Sequence, residues 1–415
     1  MLEQHFVRPQ TVDRIRASWV GPAVEQYADW LMAQGYAARN LARRVPLLLA
    51  FGAFARARGA ASLADLPAHL EAFVAARCGA RARRGVAKEI RGPVEQWLRL
   101  VLPGFAGTRR PSQLLPFAEQ APGFFTYLRS ERGLRPATLL QYTYHLHHLE
   151  RYCERRGLAT LRELTPALLT DFLVSRGASG LARVTVRETC GVLRVFLRYG
   201  HREALLPADL SLHVGAPQAY RLAHLPRAIT PEEVRRLLEG IDRRAAVGKR
   251  DYALLLLLVT YGLRAREAAA LTLDDVDWPH DRLRIPARKA DHSTAYPLAP
   301  AAGAALVDYL QHGRPATKVR QIFCRAVAPH TPLTASAVAQ RVASCLHAAG
   351  VRVPRAGSHT LRHTCIQRLV EADFPLKVIG DYVGHRSPAA TAIYAKVAVE
   401  TLRQVADGAG EEVLA

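Results

Sequence analysis

A mainly α-helical fold with one small antiparallel β-hairpin is predicted for this chain on three observations. Apolar residues recur at helical spacing through residues 1–110, in Tyr27, Trp30 and Leu31, in the run Leu47 to Phe54, and in Leu63, Leu66 and Leu70. The pattern returns at a constant offset of 98, where Gly35, Gly59, Leu63, Leu66 and Leu70 reappear as Gly133, Gly157, Leu161, Leu164 and Leu168. With one residue inserted, Trp97-Leu98-Arg99 reappears as Phe196-Leu197-Arg198. Only Arg282 to Leu298, RLRIPARKADHSTAYPL, suggests strands, with Leu283 and Ile285 on one arm and Ala295 to Leu298 on the other.

A chain of 415 residues is too long for one ordinary core. Three domains are expected: a helical module over 1–110, a second over 111–220, and a third over 225–415 that ends in a tail helix. The repeat reads as two copies of a four- to five-helix module, against chance agreement between helices rich in Ala, Arg and Leu. Leu102-Pro103-Gly104 with Arg109-Arg110-Pro111-Ser112 marks the first linker, and Pro207 with Gly215-Ala216-Pro217 through Pro226 the second. The third domain opens at Ile229-Thr230-Pro231-Glu232-Glu233, where Thr caps a helix with Pro at its first position and acid in its first turn. Val234, Leu237, Leu238 and Ile241 supply that helix's apolar face. Asp251 to Tyr261 is expected as a buried helix, because its apolar run is far shorter than the roughly 18 residues a bilayer span needs.

The formal charge of +21 and pI near 10.3 point to a polyanionic partner, nucleic acid or an anionic membrane surface, or simply to a solvated basic surface. The N-terminal stretch MLEQHFVRPQ lacks the apolar centre of a signal peptide. Six cysteines show no C-x-x-C pair and no metal-ligand spacing, so a reduced cytoplasmic protein is expected. Of 57 basic residues, 51 are Arg and only positions 88, 249, 289, 318, 377 and 396 are Lys. A retained lysine is either chance or a place that needs a proton donor, which guanidinium is not near neutral pH.

Chemistry concentrates between Ser358 and Tyr394. His359 and Arg362 share one helical face, Gly384-His385 follows a turn expected at Gly380, and Tyr394 comes nine residues after His385 in a small-residue helix. Two histidines, an arginine and a phenol in that order suit attack on a phosphodiester. His359 and His363 also stand at a zinc-pair spacing, but Thr360 occupies the place of a zincin's Glu and no third ligand is evident. Gly240 with Gly248-Lys249-Arg250 is too widely spaced for a phosphate loop. Neither metal nor cofactor is expected.

This pattern resembles the tyrosine recombinase (phage integrase) family, which includes the Xer, Cre and lambda-type integrases. The family's second box is H-x-x-R, then G-H or G-W, then a nucleophilic tyrosine; its first, T-G-L-R-x-x-E, resembles Thr260-Tyr261-Gly262-Leu263-Arg264-Ala265-Arg266-Glu267 with one residue intervening. The resemblance covers Leu225 to the end and, more weakly, residues 120–215. It implies catalytic roles for Arg264, Lys289, His359, Arg362, His385 and Tyr394, with Glu267 in support. Lys289 is placed by aligning back from Pro297-Leu298, although the family's flanking glycines are Arg288 and Ala290 here.

The implied activity is site-specific breaking and rejoining of double-stranded DNA through a 3′-phosphotyrosyl intermediate, in a cytoplasmic, nucleoid-associated protein. The segment near 120–215 takes the place of the core-binding domain, where Arg135, Arg183, Arg187 and Arg194 would meet phosphates or form a solvated face. The first copy's basic run, Arg81, Arg83, Arg84, Lys88 and Arg91, is open between a second DNA element and protein contacts. In the tail, Val399, Leu402 and Val405 form a narrow stripe that packs either on its own domain or on a neighbouring protomer of a four-subunit ring, with or without companion recombinases. Other readings are a topoisomerase IB-like or transposon-encoded strand transferase, and a non-catalytic DNA-binding accessory protein of the same fold.

Overall fold

The computed structural model describes residues 3, 6, 9–78, 84–105, 107, 115–218, 228–286, 294–385, 388, 391 and 394. It is mainly helical with one three-stranded antiparallel sheet. Two compact units divide the chain, residues 51–223 in one and residues 1–50 with 224–415 in the other.

Five helices come first: α1 (Pro9–Ala17), α2 (Gly21–Ala33), α3 (Ala38–Arg56), α4 (Leu66–Cys78) and α5 (Arg84–Val101). Four more follow, α6 (Phe124–Ser130), α7 (Pro136–Arg155), α8 (Pro166–Ala178) and α9 (Arg183–Arg202). Their core gathers Phe124, Leu146, Leu149, Phe172, Leu193 and Phe196, with the Phe124 and Phe196 rings 5.0 Å apart and nearly perpendicular.

The catalytic-looking segment starts with α10 (Pro231–Glu239). Thr230 accepts from Glu233 N–H at 3.2 Å, and the Glu233 carboxylate accepts from Thr230 N–H at 3.0 Å, a reciprocal cap. Next is α11 (Ala246–Tyr261), the centre of the core. Ala253, Leu254, Leu255, Leu257, Leu258 and Val259 are all buried, so this helix is apolar on nearly every side and packs against α13 (Pro300–His312) and α15 (Ser358–Glu371). Its one buried acid is compensated: Asp251 accepts from Arg250 at 2.8 and 3.0 Å and from Arg341 Nε at 2.5 Å, tying α11 to α14 (Ala335–Ala348).

Between α12 (Ala265–Ala270) and α13 lie β1 (Val276–Asp277), β2 (Arg282–Ile285) and β3 (Thr294–Pro297). Leu283 pairs with both Val276 and Tyr296, and Leu283, Ile285 and Tyr296 point inward while Arg282 and Arg284 face solvent. The hairpin arms match the expectation. The strand β1 was not expected, since two residues are too few to show a period.

Tyrosines join the sheet to the helices behind it. Tyr261 at the end of α11 donates to Pro297 O at 3.0 Å and accepts from Ala299 N–H at 2.8 Å. The Tyr296 hydroxyl donates to the carbonyl of Tyr382 in α16 (Leu376–Val383), and Tyr382 donates to Thr260 O at 3.1 Å. The chain therefore brings the end of α11, the sheet and α16 to one place.

One expectation fails here. Gly380 is not a turn but a buried position within α16, where an added Cβ would meet Thr391 Oγ1 at 3.0 Å. The glycine serves close packing. The chain reverses instead at Ala372 to Pro375 before α16, and at Gly384 (φ +66°) after it.

Candidate active site

Two left-handed glycines frame the site. Gly262 (φ +59°) ends α11 and sends the chain into α12, and a side chain there would also press on Cys365 Sγ and Val383 Cγ1 at 3.2 Å. Two residues on, Arg264 caps α12. Glu267 is buried and uses both oxygens on Arg264, accepting from its backbone N–H at 2.9 Å and from Nη1 at 2.7 Å. Arg264 Nη2 reaches across to the carbonyl of Gly384 at 3.0 Å. One guanidinium thus joins the start of α12 to the end of α16.

Arg362, buried on α15, makes the reciprocal link: Nη1 donates to Gly262 O at 2.5 Å and Nη2 to Val383 O at 2.7 Å. Both arginines are therefore fixed to the same two turns, and their planes are set before any ligand arrives. His385 follows Gly384; its N–H donates to Gly380 O at 2.7 Å, and its Nδ1 lies 2.8 Å from Thr391 Oγ1. His359 opens α15 with access to solvent. Desolvation by the surrounding protein, then the charges of Arg362 and Arg264, hold its imidazole below the ordinary value.

Tyr394 is buried against Ile366, Ile379 and Val383. Its hydroxyl lies within hydrogen-bond reach of His363 Nδ1, with ring centroids 5.7 Å apart. Burial pushes the phenol well above its usual value, and burial, His359 and Arg362 push the His363 imidazole down to about 4. Both groups are thus neutral, and the direction of the bond between them is set by the imidazole tautomer.

The structure brings Arg264, Glu267, His359, Arg362, His385 and Tyr394 together where α11, α12, α15 and α16 converge. Lys289 lies outside the described residues. Of the other arginines singled out in the sequence, Arg135 sits exposed before α7, and Arg183 and Arg187 are exposed at the start of α9. Arg194 folds back, giving Nε and Nη2 to Val214 O at 3.2 and 2.7 Å. The sequence reading missed His363 as a partner of Tyr394, having weighed it only for zinc. Its adjacency to Arg362 was the available signal, but nothing in the spacing says where a phenol 31 residues later will land. Among the described residues, no group of three or more His, Cys, Asp or Glu is placed to hold a metal ion.

Similarity to known proteins places the chain in the class of DNA breaking-and-rejoining enzymes. The chain belongs to the phage integrase family, the tyrosine recombinases: the model of that family matches residues 227–401, and the model described as phage integrase, N-terminal SAM-like domain, matches residues 122–204. It is 30% identical over 306 residues to the tyrosine recombinase XerD of Mycobacterium tuberculosis, covering 70% of this chain and 97% of that one. It is 34% identical over 281 residues to y4rA of Sinorhizobium fredii, a presumed integrase/recombinase, covering 68% of each. The fold is shared with the XerH site-specific recombinase solved as a post-cleavage complex on palindromic difH substrate, with TM-score 0.55, 20% identity, and coverage of 77% of this chain and 84% of that one.

Proposed function

We propose that this chain is a site-specific recombinase that cuts one DNA strand at a time through Tyr394 and rejoins it without metal or ATP. The phenol oxygen attacks phosphorus, a Tyr–O–P bond forms to the 3′ side, the P–O5′ bond breaks, and Lys289 gives its proton to the departing 5′ oxygen. His359 receives the phenol proton, and Glu267 keeps Arg264 in line. Arg264 and Arg362 supply donor forks to the non-bridging oxygens, with His359 and His385 adding single donors, so charge that grows during in-line attack meets fixed donors. Energy of the broken ester is held in the phosphotyrosine, and the strand is resealed by reversal.

The observation that carries the reading is the mutual anchoring of Arg264 and Arg362 on the Gly262 and Gly384 turns, beside Tyr394. The proposed setting is cytoplasmic and nucleoid-associated, on double-stranded DNA, as a homo-oligomer that closes into a four-subunit synapse, with or without companion recombinases. Residues 111–220 serve as the core-binding domain, with Arg135, Arg183 and Arg187 meeting phosphates. The tail stripe, outside the described residues, is the candidate link between protomers.

The test is a nicked suicide duplex built from the DNA that flanks the coding region. A covalent protein–DNA adduct should form equally well with chelator and without nucleotide. An adduct that appears only with divalent metal or ATP would overturn the mechanism, and none under any condition would leave a DNA-binding accessory protein.

His363 has a separate expected effect. A phenol this deeply buried must leave its pocket to reach a phosphodiester, and the opposed shifts of the pair make proton transfer between them strongly uphill. The contact is therefore a hold on the nucleophile, worth about 1 kcal/mol as a net hydrogen bond. His363→Leu should form adduct about two- to tenfold faster at early times; a loss of more than about a hundredfold would instead make His363 the proton acceptor. In the tautomer whose Nδ1 accepts from Tyr394, the hold is complete above the imidazole's ordinary value near 6.5 and weakens as pH falls through about 4, because protonation removes the accepting lone pair.

A further inference from the structure

We infer that the segment from the end of α3 through α5 repeats the segment from the end of α7 through α9 of the SAM-like fold matched at 122–204, and that its last helix grips the phosphates of a second stretch of duplex DNA. The two segments share specific backbone bonds and caps, beyond the shared leucines. Helices α3 and α7 begin at 38 and 136, and the short 3-10 turns that follow begin at 63 and 161, both at the offset of 98. Leaving α3, Gly59 N–H donates to Arg56 O and Ala60 N–H to Ala55 O, each at 3.1 Å; leaving α7, Gly157 donates to Glu154 O and Leu158 to Cys153 O, again at 3.1 Å. Both glycines are left-handed, φ +93° and +73°. Each turn is then closed by the same reciprocal cap, Ser62 N–H to Asp65 at 2.8 Å and Thr160 N–H to Glu163 at 2.9 Å.

Even a surface contact repeats, Arg58 lying over the Phe54 ring at 3.9 Å and Arg156 over the Tyr152 ring at 5.3 Å. The inserted residue falls earlier than the leucine spacing suggested. Buried Leu70 and Phe73 correspond to buried Leu169 and Phe172, so the offset is already 99 within α8 and stays 99 at Trp97 and Phe196.

Charge selects the partner. At the offset of 99, Arg84 and Lys88 in the first turns of α5 fall on Arg183 and Arg187 in the first turns of α9, so both copies carry a basic pair at i, i+4 at one place in the fold. Lys88 is exposed, as are Arg183 and Arg187. Residues 9–105 hold 14 Arg and Lys against 7 Asp and Glu. Val86 is the single strongly exposed large apolar residue among the described residues of that stretch, so it offers a polyanion far more than it offers an apolar partner. The family model stops at 122, so this second site is not part of the matched fold. It rests on the proposed DNA function only in taking duplex DNA as the ligand.

The experiment measures equilibrium binding of the full-length protein to a long duplex across salt concentrations, for wild type, Arg84→Gln/Lys88→Gln, Arg183→Gln/Arg187→Gln and all four changes together. Each neutralised phosphate contact contributes about 0.9 to the slope of log K against log salt, so each pair should lower the slope by about 2 and the four together by about 4. Unchanged slope and affinity in Arg84→Gln/Lys88→Gln, with an unaltered thermal melt, would overturn the second site. So would a loss of self-association with DNA binding intact, which makes this copy a protein contact. Absence of salt-dependent binding by the wild-type protein would instead sink the proposed function itself.

Discussion

Tyr394→Phe is expected to abolish the covalent protein–DNA adduct altogether while leaving affinity for duplex DNA within about twofold, because the phenol oxygen carries the chemistry and the basic surface carries most of the binding. The substitution keeps the ring that packs on Ile366, Ile379 and Val383 and removes only the hydroxyl that bonds His363. Its cost to stability is then one buried ring nitrogen left without its partner, about 1–3 kcal/mol. Suicide-substrate gels score the adduct, and thermal melts score the packing. If the Phe variant still becomes attached to DNA, another side chain is the nucleophile, and the burial of Tyr394 is simply core packing.

Lys289→Arg is expected to cut the cleavage rate by about 10²- to 10⁴-fold, the range for loss of a general acid, with little change in binding. Positive charge is preserved, so a purely electrostatic role would survive the exchange. A guanidinium does not give up its proton near neutral pH, so a role in protonating the 5′ oxygen would not. A duplex with bridging 5′ sulfur has a leaving group that needs no proton, and it should restore the variant's cleavage to within about tenfold of wild type. Failure of that rescue would move the acid to another side chain.

Much of the fold was legible because local rules suffice for it. The cap of α10 is written in Thr230-Pro231-Glu232-Glu233, and the hairpin arms in the alternation around Leu283, Ile285 and Tyr296. The burial of α11 is written in a run of leucines too dense for a solvent-facing helix. Gly380 was misjudged because a glycine in a sequence is the same letter whether it serves a turn or a close helix contact. Only the position of Thr391, brought back over α16, tells the two apart.

The sequence by itself determined which side chains stand three or four residues apart. It therefore determined that Glu267 would reach Arg264 and that His359 and Arg362 would open one helix together. The tertiary structure alone decided that Arg362 holds the carbonyl of Gly262, 100 residues earlier, that Arg264 holds that of Gly384, 120 residues later, and that Tyr394 rests on His363. The reason is physical. A helix fixes neighbours through its own pitch, whereas contacts between distant turns exist only after α11, α15 and α16 have buried their apolar faces against one another, and no spacing along the chain records where those faces meet.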